Sequence, residues 1–108
     1  MKIINESLLQ VFREKTRCEH CRKQCRQGCD PAHIFSRGAG RVDIHENLVS
    51  LCRSCHTSSH AGGSPTKAEM LAIAAKREKT TAEKIIDLVN SIRRDDSRKV
   101  WIFDGSHQ

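Results

Sequence analysis

The chain has 108 residues, a net charge of +6, six cysteines and only 4% aromatic residues. A chain this short forms one small domain over 1–108, and such a thin apolar core usually needs a metal or disulfides for stability. No stretch approaches the ~20 apolar residues of a membrane helix, and the first ten residues lack the apolar run of a secretory signal. We therefore expect a cytoplasmic protein with no membrane partner, whose reduced cysteines bind zinc.

In chain order, the sequence predicts three regions. A short helix is expected over 1–17, followed by a block over 18–63 that is rich in cysteine, histidine, glycine and arginine. A Gly-Gly-Ser-Pro break then introduces a helical extension over 64–95. No internal repeat is visible, and we expect the middle block to carry the chemistry.

The helical extension has clear start signals. Thr66 with Glu69, and Thr80 with Glu83, have the spacing of capping boxes, and apolar residues follow each at helical spacing. We therefore predict two C-terminal helices. The apolar run Val100–Phe103 is predicted to be a strand or an anchor that packs on these helices.

The positive charge is concentrated in the first half of the chain. Between Arg13 and Arg41, eight basic residues stand against three acidic ones, which gives this segment a net charge of +5. Such a cluster favours a polyanionic partner, with nucleic acid first. Arg37 and Arg41 flank Gly38-Ala39-Gly40, where close backbone approach would let both arginines bind phosphate, although the segment also fits an ordinary turn.

Four cysteines form two Cys-x-x-Cys pairs, the spacing at which two thiolates face one cation. The pairs are Cys18 with Cys21 and Cys52 with Cys55. We predict that they hold one structural Zn²⁺, with an insertion of 30 residues between its two halves. Cys25 and Cys29 are interpreted as free thiols, although Cys25 lies close enough in sequence to compete for the metal.

Two histidines form a second candidate metal site. His56 and His60 are four residues apart, which places both imidazoles on one face of a helix, where they can meet one ion. A single histidine is more often structural, but His56 directly follows the second cysteine pair. Two imidazoles favour Mn²⁺, Ni²⁺, Co²⁺ or Zn²⁺ over Mg²⁺.

Residues 18–60 resemble the HNH endonucleases, the ββα-metal nucleases, in the small form found in bacteria and their phages. The resemblance rests on Cys-x-x-Cys at 18–21, Asp-Pro-Ala-His-Ile-Phe-Ser-Arg-Gly-Ala-Gly at 30–40, Asn-Leu-Val-Ser-Leu-Cys-Arg-Ser-Cys-His at 47–56, and His60. It implies an α+β fold in which two antiparallel strands and a helix surround a divalent metal. The four-cysteine zinc site, an N-terminal helix and two C-terminal helices would complete the fold.

The resemblance also implies a reaction, the hydrolysis of DNA phosphodiester bonds. His33 matches the general base at the end of the first strand, and Asn47 matches the residue before the helix whose amide holds the loop that aligns this base. His56 and His60 match ligands of the single catalytic metal. We expect strong activity with Mn²⁺ and weaker activity with Mg²⁺.

One position departs from the family pattern. Many members carry an aspartate or histidine metal ligand immediately before the general base, where this chain has Ala32. Asp30 is the nearest carboxylate and is predicted to replace that ligand, with a plain turn role as the alternative.

Two other functions stay open on the sequence alone. One is a non-catalytic zinc module that binds DNA through its basic face, and the other is a metal-storage or redox protein built on Cys25 and Cys29. The sequence also leaves open a homodimer through the C-terminal helices, with Ile85, Ile86, Val89 or Trp101 at the interface.

Overall fold

The computed structural model describes residues 1–96 and 98–103, and within these ranges the chain forms four helices and two two-stranded sheets. The strands are β1 (Lys2–Asn5), β2 (Asp30–His33), β3 (Leu48–Leu51) and β4 (Val100–Phe103). The helices are α1 (Glu6–Arg13), α2 (Arg53–His60), α3 (Lys67–Arg77) and α4 (Ala82–Arg94). The predicted α+β class is confirmed, and no described helix has the length and apolar character needed to cross a membrane.

The two sheets differ in direction. β2 and β3 are antiparallel, with His33 opposite Leu48, and α2 begins two residues after β3 ends. β1 and β4 are parallel, and the backbone of Ile3 in β1 also bonds to Arg41 and Asp43. β1 therefore lies between β4 and the segment 41–43.

The predicted helix over 1–17 is only partly correct. Residues 2–5 are a strand, because the consecutive β-branched residues Ile3 and Ile4 suit an extended backbone better than a helix. Asn5 then caps α1 by accepting a hydrogen bond from the backbone of Leu8.

The two C-terminal helices form as predicted, with one error at a boundary. Thr66 and Glu69 make the full capping box of α3. The start of α4, however, is capped by Thr81 and not by Thr80. The backbone N–H of Thr80 donates to the carbonyl of Ala75, so this residue still belongs to the turn that closes α3.

The core lies between the C-terminal helices and the β2–β3 sheet. Leu71 and Ala74 of α3 and Ile85 and Val89 of α4 are buried in one apolar cluster with β3 residues such as Val49. A second cluster joins α1 to the first residue of β3 and comprises Leu8, Leu9, Phe12 and Leu48. β3 is therefore covered by helices from both ends of the chain, and this packing gives β2 and α2 a fixed support.

Candidate active site and four-cysteine cluster

Three of the residues predicted for catalysis and its metal, His33, His56 and His60, line one cleft of about 340 Å³, whereas Asn47 and Asp30 do not line it. Its lining comprises Pro31, His33, Ser36, Arg37, His56 and His60. β2 supplies His33, the turn after it supplies Arg37, and α2 supplies both remaining histidines. Three elements thus bring a base candidate, a cation and an imidazole pair to one surface.

His33 is held by a buried carboxylate that sequence analysis missed. Its Nε2 atom lies 2.7 Å from Oδ1 of Asp43, a residue that is 1% exposed. The other carboxylate oxygen accepts a 2.8 Å bond from the backbone N–H of Asn5 and a 2.9 Å bond from Nε of Arg41. Asp43 is therefore fixed from three sides, and its direction toward His33 is set by the fold.

The surroundings of Asp43 and His33 determine the protonation state of each residue. Burial alone would raise the pKa of Asp43, but hydrogen bonds from Arg41, Asn5 and His33 lower the pKa below its ordinary value. Burial also lowers the pKa of His33, against the opposing effect of Asp43. Because a carboxylate only accepts hydrogen bonds, the proton of neutral His33 lies on Nε2 and leaves Nδ1 as an acceptor.

Arg41, predicted to bind phosphate, is occupied within the protein. Its guanidinium lies 2.8 Å from Asp43 and 2.7 Å from Glu6, the first residue of α1. Its side chain is 18% exposed. This geometry favours a role in orienting Asp43, whereas Arg37 lines the cleft itself.

Asn47 ties together the loop between His33 and Asp43. Its side chain is fully buried, donates to the carbonyls of Val42 at 2.8 Å and Phe35 at 3.3 Å, and accepts from the N–H of Phe35 at 2.8 Å. Asn47 ends a short 3₁₀ turn directly before β3. Its amide thus fixes both ends of the segment that connects the base candidate to its carboxylate.

The C-terminal helix α4 adds a second brace to this loop. Arg93 donates from its guanidinium to the carbonyls of Ser36 at 2.7 Å and Gly40 at 3.1 Å. The same group lies 5.5 Å from the ring centroid of Phe35. Sequence analysis did not identify this contact, because the loop partners of Arg93 lie more than fifty residues away.

The two histidines of α2 approach each other through their Nε2 atoms. Nε2 of His56 lies 3.0 Å from Nε2 of His60. With metal–nitrogen bonds of about 2.1 Å, two nitrogens on one ion are about 3.0–3.4 Å apart, so the pair suits a shared cation. Both atoms belong to cleft-lining residues.

Asp30 contacts one member of this pair, His56. Its Oδ2 atom lies 3.0 Å from Nδ1 of His56, the ring nitrogen that faces away from His60. It also pairs with the exposed Arg53 at 3.3 Å. Ala32, which stands at the usual ligand position, is 4% exposed in the core. The geometry favours an orienting role for Asp30, and its role as a direct ligand stays a prediction.

The four predicted zinc ligands come together. The Sγ atoms of Cys18, Cys21, Cys52 and Cys55 all lie within 4.8 Å of one another, and this is the one such group among the described residues. The sulfurs of Cys21 and Cys52 are 3.7 Å apart, close to the about 3.8 Å expected for tetrahedral Zn–S bonds of 2.3 Å. The predicted four-cysteine metal site is therefore confirmed as a cluster, with zinc as the metal that its chemistry favours.

The cluster is electrostatically arranged for a cation. Burial raises the pKa of the Cys18 thiol, but hydrogen bonds from the backbones of Cys52, Cys21 and His20 outweigh this and lower the pKa to about 6. By contrast, burial and the neighbouring thiols raise the pKa of Cys55. Four thiolates become compatible only when a cation compensates their charge.

His20 is part of the cluster's surroundings, which the sequence did not reveal. Its Nδ1 atom lies 3.4 Å from Sγ of Cys55. Its Nε2 atom lies 3.3 Å from the hydroxyl of Ser64 and 3.4 Å from Glu69 at the start of α3. His20 therefore links the cysteine cluster to the helical extension.

Cys25 and Cys29 form a separate thiol pair. Both are buried, and their Sγ atoms lie 2.9 Å apart. Burial and the adjacent Cys25 thiol raise the pKa of Cys29 to about 12, so this sulfur stays protonated. The prediction that they are free thiols stands, since neither belongs to the four-cysteine cluster.

Comparisons with known proteins find no match for this chain among family models, curated proteins or solved structures. Its functional interpretation therefore depends on the site itself.

Proposed function

We propose that this protein is a metal-dependent HNH-type endonuclease that hydrolyses DNA phosphodiester bonds. The observation that carries the proposal is a cleft in which a carboxylate-oriented histidine, His33, shares a surface with the imidazole pair His56 and His60. A zinc module that only binds phosphate needs neither the buried Asp43 nor a converging histidine pair. The proposal therefore accounts for more of the site than simple DNA binding does.

His33 is assigned as the general base. Asp43 keeps the proton on Nε2, so Nδ1 of the cleft-facing ring takes the proton from the attacking water. The lowered pKa of His33 keeps the ring neutral, and thus ready to accept a proton, at neutral pH. Asn47 and Arg93 hold the loop that links this histidine to Asp43 and so maintain the alignment.

His56 and His60 are assigned as ligands of the catalytic metal through their Nε2 atoms. Their 3.0 Å separation and nitrogen donor set fit Mn²⁺, Co²⁺, Ni²⁺ or Zn²⁺ better than Mg²⁺. A divalent ion bound there supplies positive charge to the scissile phosphate and to the leaving oxygen. Asp30 fixes the ring of His56 by accepting a hydrogen bond from Nδ1–H, as carboxylates behind metal-binding histidines commonly do.

Arg37 is assigned to the DNA backbone. It lines the cleft, is exposed, and lies in the strongly basic first half of the chain. Phosphate contacts of this kind supply affinity without base information, so we expect low sequence specificity. The four cysteines, with structural Zn²⁺, would brace β3 and α2 behind the cleft.

The deciding experiment is a supercoiled-plasmid assay with zinc-loaded protein and added Mn²⁺, Mg²⁺ or EDTA. We expect conversion to open-circle or linear DNA, fastest with Mn²⁺, and loss of conversion with EDTA or with His33→Ala. His45→Ala is the matched control, because His45 is exposed, packs against Phe12 with the two rings tilted by 55°, and does not line the cleft.

Two outcomes would reject the proposal. If His33→Ala cleaves as fast as the wild type, the activity comes from another site or a contaminant. If the wild type is inert with every metal but still retards DNA in a gel, the non-catalytic zinc module is the better description.

A further inference from the structure

We propose that two copies of this chain associate through strand β4, independently of whether the cleft is a nuclease. β4 has an unusual surface, because all four of its side chains are apolar and exposed. Trp101 is 57% exposed and Ile102 63%. The rings of Trp101 and Phe103 stack on one face at 5.7 Å, while Val100 and Ile102 alternate onto the other face.

This pattern is typical of a strand inside a sheet. β4 pairs with β1 along one edge, and no described strand pairs with its other edge. Edge strands usually carry charged residues that discourage further pairing. A strand that is apolar on both faces is instead typical of a sheet whose two faces are both covered. β4, with both faces exposed and one edge unpaired among the described strands, therefore has the composition of an interface.

A second copy of β4 can pair with this edge across a two-fold axis. In an antiparallel pairing centred between Trp101 and Ile102, Trp101 faces Ile102 of the other copy and Val100 faces Phe103. Every cross-strand pair is then apolar, and the two Lys99 residues are not opposite each other. Large aromatic residues in such pairs are the usual anchors of protein interfaces.

The charged residues next to β4 permit two copies to approach each other, although the chain carries a net charge of +6. Lys99 pairs with Asp95 at 3.6 Å and Arg98 with Asp96 at 3.2 Å, so the local basic groups are balanced within each copy. A charge-balanced apolar strand suits a second copy better than it suits a polyanion. Beside it lies a cavity of about 390 Å³, lined by Met1, Asp95, Lys99, Val100 and Trp101, with room for side chains of the partner strand.

The C-terminal helices, predicted from the sequence as the dimer surface, are less suitable. Ile85 and Val89 are 1% and 0% exposed, because they already pack in the core. Of the four residues named for that interface, Trp101 alone is strongly exposed. The inferred interface therefore shifts from helix α4 to strand β4.

The test combines mass with fluorescence, because Trp101 is the one tryptophan of the chain. Zinc-loaded protein is measured over a concentration series by light scattering after size exclusion and by tryptophan emission. We expect the mass to rise from 12.2 kDa toward twice that value, with the emission maximum moving to shorter wavelength over the same range.

Three variants make the result specific. Trp101→Asp and the milder Ile102→Thr should keep the monomer mass at concentrations where the wild type is dimeric. Val11→Asp, at a 52% exposed apolar site on α1, should dimerise like the wild type. A wild type that stays monomeric at every concentration, or a dimer that survives Trp101→Asp with unshifted affinity, overturns the proposal.

Discussion

The Nε2 atom of His33 and the Oδ1 atom of Asp43 lie 2.7 Å apart, although the two residues stand ten positions apart on either side of the segment 34–42. Asp43 is fully enclosed, while His33 lines the cleft. The buried carboxylate thus determines which ring nitrogen of the cleft-lining histidine carries the proton. Under the proposed function, cleavage depends on Asp43, although this residue does not line the cleft.

Replacing Asp43 with asparagine should change both the rate and its pH dependence. The amide no longer fixes the Nε2–H tautomer, so we expect the maximal cleavage rate to fall about 100-fold, within the 10²–10⁴-fold range of general-base catalysis. Activity is lost as the pH falls through the pKa of His33, which lies below 6.5. Asp43 raises that pKa, so its removal should move the acid limb to still lower pH.

The pH–rate profile separates positioning from simple structural support. Wild type and Asp43→Asn are compared from pH 5 to pH 8 with Mn²⁺, with unfolding monitored in parallel. A lower rate whose acid limb does not move would mean that Asp43 supports the fold without acting on His33.

Replacing Asp30 with asparagine should weaken metal binding without abolishing it. If Asp30 orients His56 from the Nδ1 side, the Mn²⁺ affinity of zinc-loaded protein should fall about 10- to 100-fold in calorimetry. Saturating Mn²⁺ should then restore most of the cleavage rate. Complete loss of Mn²⁺ binding, equal to that of His60→Ala, would instead make Asp30 a direct ligand.

The cysteine cluster should be essential for folding. Native mass spectrometry should find one zinc ion per chain, and Cys18→Ser should lose it and unfold, because structural zinc binding contributes on the order of 10 kcal/mol in small zinc modules. Cys25→Ser is the matched control, since Cys25 is also buried but lies outside the cluster. Retained zinc in Cys18→Ser would exclude the four-cysteine assignment.

Local spacing predicted the parts of the site that neighbouring residues determine. Two residues between paired cysteines and three between His56 and His60 fix side-chain directions through the backbone alone. The same holds for the capping box at Thr66. These features need no knowledge of the tertiary fold.

The residues that support the site could not be predicted, because their contacts join distant parts of the sequence. Asp43 depends on Asn5, 38 residues away, and the loop depends on Arg93, 57 residues from Ser36. Neither contact leaves a periodic signal in the sequence. The strand at Ile3 was also missed, because its partners are the distant β4 and the segment around Val42.

Asn47→Ala should destabilise the protein as well as inactivate it. The substitution leaves the N–H and C=O of Phe35 and the C=O of Val42 without their partner in a buried position. Unsatisfied buried groups cost about 1–3 kcal/mol each, so we expect a loss of about 3 kcal/mol in the free energy of unfolding. Urea denaturation measures this, with Asn90→Ala in α4 as control, and a loss below about 1 kcal/mol would contradict the assigned role.

Arg37→Ala should weaken DNA binding in a salt-dependent way. If Arg37 contacts one phosphate in the cleft, its removal should lower the slope of log K against log salt concentration by about 1, equally for unrelated DNA sequences. Arg98→Ala is the matched control, because Arg98 is exposed but pairs with Asp96 beside the β4 strand, outside the cleft lining. Binding is measured by fluorescence anisotropy with Ca²⁺ in place of Mn²⁺, so that cleavage does not consume the probe. An unchanged slope for Arg37→Ala, or an equal change for Arg98→Ala, would show that the DNA backbone does not run along this cleft.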